Sequence, residues 1–181
     1  MKMRWLSGSV LILACIFFLI PQAWSQAKTE KKAPVITNAY AVDGGQYGTI
    51  WKIYIEGEDP DGDMLRIASV AEQPGYGHYP TNWTYLKSQY KRHFKGYLQW
   101  NTFSSKAGTL PEWTQITLYV SIMDRTDRES NVVAFPFTFE TGVRSDPVPA
   151  PFDEKGLPRL GYISIDLINP YTDTDRGARD D

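Results

Sequence analysis

Five acidic side chains fall within eight residues at Glu56-Gly-Glu58-Asp59-Pro-Asp61-Gly-Asp63. Clustered carboxylate oxygens are the ligands that a hard cation such as calcium takes. Asp59, Asp61 and Asp63 have the alternate-residue spacing of the first three ligands of an EF-hand loop. The rest of that pattern fails, because Met64 stands where the glycine belongs and Val70 where the bidentate glutamate belongs. An EF-hand is excluded. Calcium, the one cofactor this corner suggests, then needs a second acidic loop, and Asp124 and Asp127, with Glu129, supply its carboxylates. The alternative is a solvated turn, since Asp, Pro and Gly also bend a chain between strands.

Aromatic residues form the second concentration. Nine of them lie within the 28 residues from Tyr76 to Phe103. Exposed Trp and Tyr rings stack on sugars or anchor protein interfaces, and a core without disulfides also needs large apolar groups. Pro74, Gly75, Gly77 and Pro80 make the 73–82 loop irregular, so Tyr76 and Tyr79 are hard to bury there. With Trp83 and Tyr85 they form the expected ligand-binding set, an aromatic platform.

Other chemistry finds little support. His78 and His93 are the only histidines, and surface or hydrogen-bonded roles suit them better than a metal pair. No serine elbow, phosphate-cradling glycine loop or His-Glu metalloprotease motif is present. A glycosidase sets two carboxylates across a cleft, which clustering on one turn does not suggest. Asn82-Trp-Thr84 matches the N-glycosylation sequon, relevant only to a eukaryotic source. No catalytic residue is assigned.

The N-terminus points to export. Lys2 and Arg4 precede an apolar stretch at residues 11–20, and Ala23-Trp24-Ser25 is a small-x-small cleavage signal, the organisation of a secretory signal peptide over residues 1–25. The apolar stretch is shorter than the ~20 residues of a membrane span. An uncleaved anchor and a lipidated Cys15 are the other options, although residues 16–20 continue apolar past that cysteine. Cleavage takes Lys+Arg from 19 to 17 against 21 Asp+Glu, a net charge of −4. Such a chain lacks the basic field that nucleic acid or anionic membranes select. It also loses its single cysteine, so neither disulfides nor thiolate metal sites can support it.

Residues 26–33 read as a flexible leader, and one domain of ordinary size follows. Residues 35–42 read as a first strand, ended by the turn signal Asp43-Gly44-Gly45. In residues 50–56, Trp51, Ile53 and Ile55 alternate with Lys52, Tyr54 and Glu56. Residues 64–72, 95–103, 114–123 and 132–139 complete the main set, with a polar hairpin turn over 124–131. Pro136 has no N–H to donate, so its strand should have an edge on that side. Near residues 82–93, Trp83, Leu86, Tyr90 and Phe94 at helical spacing suggest a short helix capped by Thr81 or Asn82. After Gly142 a Pro-rich linker leads to one more strand candidate at 160–168 and a charged tail at 172–181. About seven short strands between turn signals predict an all-β, antiparallel two-sheet sandwich over residues 34–141, with 142–181 outside it.

Three stretches together resemble a bacterial immunoglobulin-like domain of the cadherin-like or fibronectin-type kind. They are the strand running into Glu58-Asp-Pro-Asp-Gly-Asp63, Phe94-Lys-Gly-Tyr-Leu-Gln-Trp100, and Tyr119-Val-Ser-Ile-Met-Asp124 with its polar turn and the Phe-rich strand after it. Cadherin repeats carry further calcium motifs at their junctions, which this chain lacks. The resemblance implies a non-enzymatic, periplasmic or extracellular module that binds or supports an envelope or extracellular protein or polysaccharide. A carbohydrate-binding module using the Tyr/Trp platform is the alternative, and a small hydrolase a third. Such folds serve many functions.

Overall fold

The computed structural model describes residues 31–142 and 147–170. The expected signal peptide, most of the leader and the charged tail lie outside these residues. Among the described residues no helix is long and apolar enough to cross a membrane.

Period-two alternation sets the architecture. In β3 (Ile50–Glu58), β7 (His93–Asn101) and β8 (Gln115–Asp124) every second side chain is buried. The other main strands are β1 (Val35–Tyr40), β4 (Met64–Gln73), β9 (Val133–Phe139) and β10 (Arg159–Ile163). Short pieces add β2 (Gly44–Gly45), β5 (Gly77–His78) and β6 (Asn82–Tyr85). Sheet A has the order β1-β3-β7-β10. Sheet B has the order β2-β9-β8-β4-β5, with β6 also on β4. Trp51, Ile53, Ile55, Leu98 and Trp100 from sheet A meet Ile67, Leu118, Ile122, Phe135 and Phe137 from sheet B in one core. Burial of such side chains stabilises by roughly 1.5–3 kcal/mol each.

The arrangement is immunoglobulin-like. In that fold strands A, B and E share one sheet with D, while C, F and G form the other. Here β1, β3 and β7 take the A-B-E places and β4, β8 and β9 the C-F-G places. The D place beside β7 is filled by β10, which arrives from the C-terminal side and runs parallel to β7.

Several expectations need correction. The sandwich is all-β with two sheets, but two of its pairings are parallel, β10 with β7 and β2 with β9. Both follow long connections rather than hairpins, which is what parallel pairing requires. Gly44 and Gly45, expected as a turn, pair with Thr138 and Phe139. The helix expected over 82–93 is instead β6, paired with Arg66 to Ser69, followed by one 3-10 turn at Ser88–Tyr90. Ladder bonds to β4 override the helical spacing, and Trp83 and Tyr85 face out together on one side of a strand. Beyond residue 141, Leu160, Ile163, Ile165 and Leu167 are core residues. The Trp100 indole N–H donates to Ile165 O at 3.2 Å and the Ser104 hydroxyl to Leu167 O at 2.6 Å. Pro136 behaves as its chemistry dictates. It pairs with Thr117 of β8 on one side, while on the other β9 meets β2 only at Thr138 and Phe139.

Candidate functional site

The acidic corner joins β3 to β4, and the 124–129 turn follows β8, which pairs with β4. Both therefore lie at one end of the sandwich, where the Arg125 N–H donates to Asp63 O at 3.1 Å. Asp59 is buried, and its two carboxylate oxygens accept the N–H groups of Asp61 and Asp63, both at 2.9 Å. Asp124 is fully buried. Its Oδ1 accepts the Thr126 N–H at 2.6 Å, the Thr126 hydroxyl at 2.9 Å and the Arg128 N–H at 2.9 Å. These two carboxylates hold loop backbone in place, as Asx turns do.

Cationic groups complete the cluster. The Lys31 ammonium donates to Asp63, and the Lys32 N–H donates to Asp61 Oδ2 at 2.6 Å. Two residues expected in a flexible leader are thus held on the corner. Lys31 keeps the Asp63 carboxyl below the ordinary carboxylate range, against desolvation that pushes it up. Among the described residues, Asp124 Oδ2 and Asp63 Oδ1 are buried without a hydrogen-bond partner, with Arg128 Nε 3.9 Å from the former. Asp127 turns away from the others to pair with Arg66 at 3.2 Å. Among the described residues, no three His, Cys, Asp or Glu side chains form a group that could hold a metal ion. The structure brings Asp59, Asp61, Asp63 and Asp124 to one end and supplies them with backbone, lysine and arginine partners.

The aromatic set divides. Tyr79 is 5% exposed, and its hydroxyl donates to Gln73 Oε1 and accepts the Ile168 N–H at 2.9 Å. It belongs to the core, because the C-terminal segment covers a loop that looked too irregular to bury a ring. Tyr76 stacks on it at 4.5 Å between centroids and remains 47% exposed. Trp83 and Tyr85 stand on the outer face of sheet B, 39% and 64% exposed, with the Arg66 guanidinium 4.0 Å from the Trp83 ring. No four-ring platform forms.

A different aromatic row lies on the outer face of sheet A. Tyr40 pairs with Tyr54, Tyr54 with Tyr97, and Tyr97 with Arg159, so register alone lines them up across all four strands. The ring centroids are 6.3 Å apart from Tyr40 to Tyr54 and 5.7 Å from Tyr54 to Tyr97. The chain then crosses this face as a strap. Phe152 packs on Tyr54 at 5.7 Å, Glu154 pairs with Lys95 at 2.8 Å, and Pro158 O accepts the Tyr97 N–H at 3.1 Å. Gly96 lets the strap approach, since a Cβ there would meet the Pro158 carbonyl.

Between strap and sheet lies an open cleft of about 420 Å³, lined among others by Lys52, Tyr54, Tyr97, Phe152, Asp153 and Glu154. That volume is within the range of small-ligand sites. The Lys52 ammonium lies 4.9 Å from the centre of the Tyr97 ring. Burial raises the Tyr54 hydroxyl pKa, so at neutral pH it stays protonated, a donor as well as an acceptor. The sequence signal for this site was the tyrosine among the outward residues Lys52, Tyr54 and Glu56. Its partners are separated by tens of residues and give no local pattern.

No family model matches the chain, and no curated protein matches it in sequence. Among solved structures, it is similar to the PKD domain of an M14-like peptidase from a Thermoplasmatales archaeon, with TM-score 0.41 and 17% identity over 61% of this chain and 99% of that one. It is also similar to a CARDB domain from Pyrococcus furiosus, solved in complex with di-metal ions, with TM-score 0.35 and 8% identity over 61% and 96% of the two chains. Fold and site here rest on the strand order and the geometry above.

Proposed function

We propose that this chain is an exported, non-enzymatic immunoglobulin-like module that binds or supports a component of the envelope or extracellular space. The observation that carries this reading is the tyrosine-floored cleft on the outer face of sheet A. A structural spacer needs a core and a soluble surface. It has no need of a second layer of chain that sets two carboxylates over tyrosines and a lysine. The N-terminal segment that reads as a signal peptide, with its Ala23-Trp24-Ser25 cleavage signal, supports export.

Capture from the native envelope fraction tests the proposal. The immobilised chain retains a component that the double variant Lys52→Ala/Asp153→Ala releases. Equal capture by both proteins overturns a binding role for the cleft. Turnover of a hydrolase substrate, abolished by Asp153→Ala or Glu154→Ala, overturns the non-enzymatic reading.

A further inference from the structure

We infer that the cleft takes an extended, β-linked saccharide chain, with its sugar rings laid across the strands along Tyr54 and Tyr97 and continuing out of the cleft toward Tyr40. This rests on the binding reading above and names its ligand class.

The row itself is the first argument. Neighbouring strands lie ~4.8 Å apart, and in-register pairing puts a tyrosine on each of three successive strands. Rings therefore recur along a nearly straight line, at a step comparable to one pyranose of an extended chain. Half-buried tyrosines held this way offer hydroxyls to the edges of sugars, and to their C–H side the ring surface that Phe152 and Lys52 leave open.

The flanking rows are the second. Asn38, Glu56 and Lys95 run beside the tyrosines on one side, and Lys52, Gln99 and Tyr162 on the other. An aromatic stripe between two polar stripes matches a sugar chain, whose faces are apolar and whose rims carry hydroxyls. A lipid chain has no such alternation.

Charge is the third. Lys52 on the sheet and Asp153 on the strap line the same cleft, while Glu154 is paired with Lys95. An acidic ligand would meet the Asp153 carboxylate and a basic one would meet the Lys52 ammonium. A neutral, hydroxyl-rich ligand uses both signs as acceptors and donors. Phe152, buried against Tyr54, closes one side, so the chain lies in a groove rather than on a plane.

The test is an isotope-labelled amide NMR titration with cellohexaose, xylohexaose and chitohexaose, each against its monosaccharide. At least one hexasaccharide shifts the amides of Lys52, Tyr54, Tyr97 and Gln99 and binds about tenfold tighter than its monomer. Tyr97→Ala weakens it about tenfold, Lys52→Ala weakens it measurably without touching the core, and Trp83→Ala changes nothing. Shifts that gather on Trp83 and Tyr85 overturn the assignment, as does the absence of any shift at millimolar sugar. In that last case the envelope capture separates the two readings. A component lost with Lys52→Ala/Asp153→Ala leaves the binding module standing without a saccharide, and cleft-independent capture removes both.

Discussion

The Arg125 N–H donates to the carbonyl of Asp63 at 3.1 Å, which fastens the turn after β8 to the corner before β4. Two acidic loops 61 residues apart in sequence, judged by Asp63 and Asp124, thereby become one end of the sandwich. Asp124 is central to it, since a single oxygen accepts three hydrogen bonds in a fully buried position. Asp124→Ala is expected to lower unfolding stability by about 3 kcal/mol, the cost of leaving buried donors without a partner. Asp124→Asn keeps an acceptor and loses about half of that. Urea unfolding of the two variants checks the order, and equal losses would sink the account.

Calcium should leave the melting temperature unchanged at millimolar concentration, with or without subsequent chelator. Asp59 and Asp124 already accept backbone N–H groups, and Asp63 has Lys31. An ion that binds only the folded chain must raise the midpoint. A rise of several degrees, reversed by chelator, would mean that the two loops release these partners to form an ion site.

Acid should weaken the fold through Asp63. Its carboxyl pKa is depressed in the folded state, chiefly by the Lys31 ammonium. The stabilisation is complete above the ordinary carboxylate value of ~3.9 and is lost as pH falls through the lower folded value. Lys31→Met removes that partner, so the variant melts lower than the wild type at about pH 6 and converges on it in strong acid. Parallel melting profiles across that range would show that the pair contributes nothing.

Tyr79→Phe tests whether the loop is tied by its hydroxyl. Removing it strands the Ile168 N–H and Gln73 Oε1, an expected loss of about 1–3 kcal/mol. Burial also pushes the Tyr79 hydroxyl up to about 12. The wild type therefore keeps this contribution below the unfolded tyrosine value of ~10 and loses it as pH rises through the folded value. The phenylalanine variant lacks that alkaline slope, which denaturation across about pH 9–12 would reveal.

Much of the fold was legible because strand patterning is local. Residues 50–56, 114–123 and 132–139 alternate so clearly that β3, β8 and β9 were placed within a residue or two, and the missing N–H of Pro136 announced an open edge. The 82–93 stretch misled because helical spacing and a short outward-facing strand share the same aromatic positions, and only pairing with Arg66 to Ser69 separates them.

A cysteine-free, two-sheet β-sandwich with acidic turns, behind a segment that reads as an export signal, is written in the chain directly. Those features follow from residue types and from spacings of a few positions. Tertiary structure alone decided that the corner and the 124–129 turn meet, that Tyr79 is core, and that Tyr40, Tyr54 and Tyr97 share a row. It also placed the Pro-rich strap over that row. Each of these is a matter of register between strands distant in the chain, and a one-residue slip would turn every side chain to the opposite face. Spacing within a strand tells which residues share a side. What stands beside them is fixed only when the sheets assemble.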